Sequence, residues 1–387
     1  MIPKIGVIGG SGVYQMDGIE NPQWVTIQTP WGAPSDDILT GTLNGNQMAF
    51  LPRHGRGHFH SPTSVPYRAN IDALKRLGCT DIIAVSAVGS LRADYKPGDF
   101  VLVDQYIDRT FAREKSFFGP GCVAHVSVAH PTCARLGEAI TRAAAGLAGA
   151  DATGQATLSG HVNAAASLTG TPHAMQTTAD ATSQAGRNIA TGPTGQTAAT
   201  ATTGHATAKH ATAGHATVAT ATARHATASG EGKVATGLTG SSSNAATQVA
   251  ITLYQGATYL VMEGPQFSTL AESRLYRQWG ADVIGMTGMP EAKLAREAEM
   301  CYASVAMVTD YDCWHEGHGA VDVAQVIATL TANATQAATL ITNLRLTRPD
   351  ACPCGCDRAL TYALMTAPAK RDPDLMARLD AVAGRML

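Results

Sequence analysis

The chain has 387 residues, a formal net charge of −2 at pH 7 and only 15% charged residues. That length supports one large domain or two ordinary ones. A near-neutral balance without a basic run excludes nucleic acid and anionic membrane surfaces as principal partners. No apolar run is long enough to span a bilayer, and the opening MIPKIGVIGG passes directly into a short strand, unlike a secretory leader. A cytoplasmic location is expected.

KIGVIGG predicts a strand running into a glycine turn, and ILTGTLNGNQMAFLPRH a hairpin about Asn44-Gly45. YRANIDALKRLG has helical spacing and stops at Gly78, where a helix terminus favours glycine. DIIAVSAVGS is continuous and apolar, as for a strand buried on both faces. GDFVLVDQYID predicts a further strand and HPTCARLGEAITRAAAG a helix.

Near Gly146 the composition changes. From Asp151 to Asn244 the chain is Ala, Thr, Gly and Ser with no aromatic residue, and a five-residue repeat sets His205, His210, His215 and His225 in one register. Such a segment buries too little apolar surface to offset its ordering entropy, so 146–249 is expected to be a disordered low-complexity insert. A weak metal-binding tract is the alternative, although a period of five matches neither helix nor strand.

Ordinary patterning then resumes. ATYLVMEGPQF, ADVIGMTG and CYASVAMVTDYD predict strands, alternating with helices over TLAESRLYRQWG, PEAKLAREAEM and VDVAQVIATLTANATQAATLITNL. Residues 1–145 and 250–387 are therefore expected to form one α/β domain interrupted by the insert. Cys79, Cys122, Cys133, Cys301 and Cys313 are scattered and fit buried free thiols. Cys352, Cys354 and Cys356 lack the C-x-x-C spacing of a zinc knuckle and are expected to be free surface thiols. No metal site is predicted.

Several strand ends carry polar chemistry. GVIGGSGVY brings Gly9, Gly10, Ser11 and Gly12 to a strand end, which suits either an anion or a plain tight turn. LPRHGRGHFHSP sets Arg53, His54, Arg56, His58 and His60 after a hydrophobic strand, a mixture better suited to phosphate than to a metal. SAVGS and GMTGMPE end strands in small residues, where open α/β sheets bind ligands. VTDYDCW places Asp310 and Asp312 one residue apart. In extended backbone both carboxylates would face one side; a turn, in which Asp bonds its own backbone, is the competing reading.

These motifs together resemble the trimeric purine nucleoside phosphorylases, and within them the members that act on 5′-methylthioadenosine. The likeness covers most of 1–145 and 255–345, through GVIGGSGVY, RHGRGH, YRANIDALKRLGC, SAVGSL, PGDFVLVDQYIDRT, EGPQFSTLAESRLYRQWGADVIGMT and MPEAKLAREAEMCYASVAMVTDYDCW. The resemblance implies a central mixed sheet flanked by helices, a homotrimer, phosphate as co-substrate and no other cofactor. It implies phosphate ligands at Ser11, Arg53, His54, the Ala87 amide and Thr287. It sets Met286 on the ribose, Phe267 on the purine, and His58, Val323, Val326 and Ile327 around a 5′-methylthio group. Asp310 and Asp312 fall on the base-binding pair, which implies cleavage of 5′-methylthioadenosine; a 6-oxopurine nucleoside such as inosine or guanosine is the alternative. A nucleoside hydrolase or a non-catalytic scaffold would leave Arg53 and His54 without a purpose. Cys-x-Cys tails form disulfides in some members.

Overall fold

The computed structural model describes residues 4–10, 16–148, 251–317 and 323–386, without the side chains of Ala148, Val323 and Gln325. Most of the predicted insert, with His205, His210, His215 and His225, lies outside the described residues.

Among the described residues, nine strands form one mixed sheet: β1 (Lys4–Gly9), β2 (Glu20–Val25), β3 (Ile38–Leu43), β4 (Asn46–Pro52), β5 (Asp81–Ser90), β6 (Phe100–Asp108), β7 (Leu253–Val261), β8 (Val283–Gly285) and β9 (Cys301–Asp310). Their order is β2-β3-β4-β1-β5-β8-β7-β6-β9, and β9 also pairs with β5. The last five strands thus close into a ring, while β2 to β4 extend the sheet as a meander. The strand β2 was not predicted, because ENPQWV shows no apolar alternation; it is an exposed edge held by β3.

Period-two alternation along the central strands feeds two core layers. Ile82, Ala84 and Val88 of β5, with Tyr302, Ala306 and Val308 of β9, pack against α1 (Tyr67–Arg76) and α4 (Glu291–Glu297). Ile83 and Val85, with Cys301, Ala303, Val305 and Met307, pack against α2 (Ala134–Ala148) and α5 (Val323–Thr342). The helix α3 (Leu270–Gln278), opened by a capping box of Thr269 and Glu272, packs Tyr276 into a third cluster with Leu91, Leu260, Ala281 and Ile284. The helix α2 runs past Gly146 to Ala148, so the break in composition does not coincide with the end of helix. Strand β6 pairs in parallel with β7, joining segments from either side of the predicted insert.

The tail corrects one expectation. Cys352 and Cys356 are buried in the same layer as α2 and α5, and only Cys354 is half-exposed. The apolar surface beneath them is what the sequence alone could not reveal.

Candidate active site

One cavity of about 1140 Å³ opens at the carboxyl ends of β1, β4, β5, β8 and β9. Small-molecule pockets usually run to about 300–1,000 Å³, so there is room for two ligands side by side. Its lining includes Arg53, His54, His58, Ala87, Met286, Thr287, Phe267, Asp310, Asp312, Val326 and Ile327. Most of the predicted site residues therefore share one space, although they lie far apart along the chain. Ser11 lies outside the described residues; Val323 opens α5, but its side chain is not among those described.

Arg53 is buried. Its Nε and Nη2 donate to the Glu291 carboxylate at 2.9 and 3.1 Å, Nη2 also to the Ile8 carbonyl at 3.3 Å, and Nη1 to the Val85 carbonyl at 2.8 Å. Four of the five guanidinium N–H groups are then committed, and one on Nη1 remains for a ligand. Burial opposes its charge, but Glu291 holds the proton firmly and raises the pKa. The Val85 carbonyl is open to Arg53 because β1 pairs with β5 only as far as Ala84. Backbone groups two residues on point the same way, so the Ala87 N–H faces the gap that β1 leaves.

His54 Nδ1 donates to the His60 carbonyl at 2.8 Å. Burial, then the charge of Arg53, push its pKa down to about 4. The ring is neutral at pH 7 and offers Nε2 as an acceptor. His58, at a left-handed φ of 57°, stacks on it with centroids 4.3 Å apart.

The carboxylate pair fulfils both readings of DYD in part. Asp310 ends β9, and its Oδ1 accepts from the Asp312 backbone N–H at 2.8 Å while Oδ2 accepts from Thr309 Oγ1 at 2.7 Å. The backbone therefore turns, with Asp312 at a φ of 51°, as the turn reading of DYD expects and the extended one does not. Both carboxylates nonetheless line the cavity. Asp312 is buried, with Ser268 Oγ 2.8 Å from each of its oxygens. Burial raises its pKa, the Ser273 and Ser268 hydroxyls lower it, and the neighbouring charge of Asp310 raises it again; the net shift is upward.

Gly89 makes this geometry possible. A Cβ there would stand 2.9 Å from Asp310 Oδ1 and 3.3 Å from the Asp312 nitrogen. Sequence reading noted SAVGS as small without identifying what the glycine accommodates. It also missed Glu291, Ser268, Glu263 and Arg113. Arg113 donates to Glu263 and to the carbonyls of Met286 and Met289, binding together the loops that follow β7 and β8. Burial opposes the charge of Glu263, but donors from Thr63, Phe111, Ala112 and Arg113 hold its pKa at about 2. Nothing local to EGPQF signals that partnership, which spans 150 residues.

Comparison with known proteins agrees with this geometry. The Phosphorylase superfamily profile matches residues 4–199 and 189–344. An S-methyl-5′-thioadenosine phosphorylase of Cereibacter sphaeroides is 52% identical over 100% of this chain and 99% of its own length. One of Rhodospirillum rubrum is 44% identical over 100% and 97%. Among solved structures, a methylthioadenosine phosphorylase from an antarctic soil metagenomic library superposes with a TM-score of 0.68 at 36% identity, covering 98% of each chain. An adenosine/methylthioadenosine phosphorylase mutant of Schistosoma mansoni, in complex with adenine, gives 0.60 at 27%, covering 88% of this chain and 90% of its own.

Proposed function

The chain belongs to the phosphorylase superfamily, and from that premise we propose that it cleaves 5′-methylthioadenosine with inorganic phosphate, releasing adenine and 5-methylthioribose 1-phosphate. The observation that carries the reading is a single cavity lined by an anion-holding group and a carboxylate pair, of which Asp312 is buried.

Hydrogenphosphate sits against the free Arg53 N–H, the Ala87 amide, Thr287 and Ser11, and its P–OH donates to neutral His54 Nε2. The glycosidic C1′–N9 bond breaks with its electron pair passing to adenine, and a phosphate oxygen bonds to C1′. Phosphate thereby serves as nucleophile and as the negative charge facing a cationic, oxocarbenium-like ribose. Adenine leaves as a neutral base if N7 gains a proton. Asp312, whose buried carboxyl resists ionisation, gives that proton. Asp310, with both oxygens already accepting hydrogen bonds, accepts from the exocyclic amine. A 6-oxopurine presents an acceptor there and is repelled. Met286 meets the ribose and Phe267 the base, while His58, Val323, Val326 and Ile327 enclose the methylthio group.

The names of the 52% and 44% identical relatives support this substrate over inosine or guanosine. A cytoplasmic homotrimer belongs to the same proposal; Phe111 and Phe59, 82% and 66% exposed, support a partner contact. No helix among the described residues is long and apolar enough to cross a membrane. The test is adenine release from 5′-methylthioadenosine with and without phosphate, with inosine in parallel. Turnover should require phosphate and favour the adenine nucleoside. Release without phosphate, or a preference for inosine, would overturn the reading.

A further inference from the structure

Cys133, directly before α2, Cys301 at the start of β9, and Cys352 and Cys356 of the tail converge in the core. Their four Sγ atoms lie within 4.8 Å of one another, and all four residues are buried. Cys352 Sγ is 3.5 Å from Cys301 Sγ and 3.8 Å from Cys133 Sγ. Four thiolates bound tetrahedrally at ~2.3 Å from a metal ion are ~3.8 Å apart along each edge. The sulfurs therefore have the spacing of a ligand set around a centre. A disulfide would instead draw one pair to ~2.05 Å and leave the others out.

The surroundings fit that charge. Four thiolates and a divalent ion carry a net charge of −2, and two guanidiniums reach the sulfurs. Arg296 Nη1 donates to Cys356 Sγ at 3.2 Å, and Arg348 Nη1 lies 3.7 Å from Cys301 Sγ. Such outer contacts orient ligands and offset their charge. The tail is also wound for the purpose. Gly355 N–H donates to the Cys352 carbonyl at 2.9 Å with φ of 66°, and the Cys352 N–H donates to Asp357 Oδ2 at 2.8 Å. That turn sends Cys352 and Cys356 into the core, while Cys354 stays half-exposed.

We propose that Cys133, Cys301, Cys352 and Cys356 bind one zinc ion in a closed tetrathiolate site that fastens the tail to α2 and β9. Zinc suits four sulfurs in a tetrahedron, and a site with every position filled by protein is structural. Its distance from the chemistry agrees: the nine residue steps of β9 from Cys301 to Asp310 span ~30 Å. The C-x-x-C rule failed because it describes ligands paired within one turn, whereas two of these four come from other elements.

The experiment uses the full chain, purified without a histidine tag, with zinc counted by elemental analysis and its ligand shell read by X-ray absorption. About one zinc per chain is expected, surrounded by four sulfurs at ~2.3 Å. Cys352→Ser should lower the zinc content at least tenfold. A metal-free chain with four freely titrating thiols would overturn the proposal. So would a non-reduced mass two hydrogens lighter per sulfur pair, or a shell of imidazole nitrogens, which would place the ion on the repeat histidines. If Cys352→Ser does not fold, the zinc count and sulfur shell of the unaltered chain decide.

Discussion

The two ends of β9 put one strand to opposite uses. From Cys301 to Thr309 every residue is buried, so the strand is a rigid bar through the core. At its start, Cys301 meets three other sulfurs in a closed set facing inward. At its finish, Asp310 and Asp312 face a cavity. Where polar groups satisfy one another, they hold the fold; where some bonding capacity is left toward an open space, a ligand is invited. Arg53 combines both, with four N–H groups spent on the fold and one kept for the cavity.

Substitutions at each end separate these uses. Asp312→Asn removes the proton donor and should lower kcat on 5′-methylthioadenosine by about 10²–10⁴-fold, with the thermal midpoint within a few degrees of the parent. Cys352→Ser should do the reverse, lowering the midpoint and leaving kcat on the folded protein unchanged. Steady-state adenine release and thermal unfolding, measured side by side, check both; equal losses in both assays would dissolve the contrast.

Glu291→Ala probes the ion pair through which Arg53 combines the two uses. It strands the buried Arg53 charge and should cost about 3–5 kcal/mol of stability, readable by denaturant unfolding, together with weaker phosphate binding.

Gly89→Ala presses on Asp310 Oδ1 and should lower kcat/KM about tenfold, or about 1.4 kcal/mol. Full activity in that variant would mean that Asp310 need not hold its present position.

The smallest effect concerns pH. Asp312 acts when protonated, so activity falls as pH rises through its pKa, which burial raises. Ser268→Ala removes a hydrogen bond that lowers this pKa and should move the alkaline limb upward. Asp310→Asn removes a charge that raises it and should move the limb downward. Shifts of about one pH unit, worth about 1.4 kcal/mol each, are expected in kcat profiles; limbs moving the other way would reassign the proton to Asp310.

Much of this was legible before any coordinates. Strands such as DIIAVSAVGS and CYASVAMVTDYD announce themselves because burial on both faces demands unbroken apolar runs. Arg53, His54 and the aspartates stood out because polar groups at strand ends are anomalous against that background. Glu291 and Glu263 did not, since an acid at the start of a helix or just past a strand is ordinary and the partners lie 238 and 150 residues away. Edge strand β2 was silent because solvent on its exposed face asks for no pattern.

By itself, then, the order of residues determined which segments are strands and helices and which side chains gather at strand ends, because periodicity and turn chemistry are local. Only the tertiary structure decided which of those ends share a cavity, that DYD turns while keeping both acids on one side, and that four distant cysteines meet. Those outcomes depend on strand order and on the packing of the tail, and neither leaves a mark on any short stretch of chain.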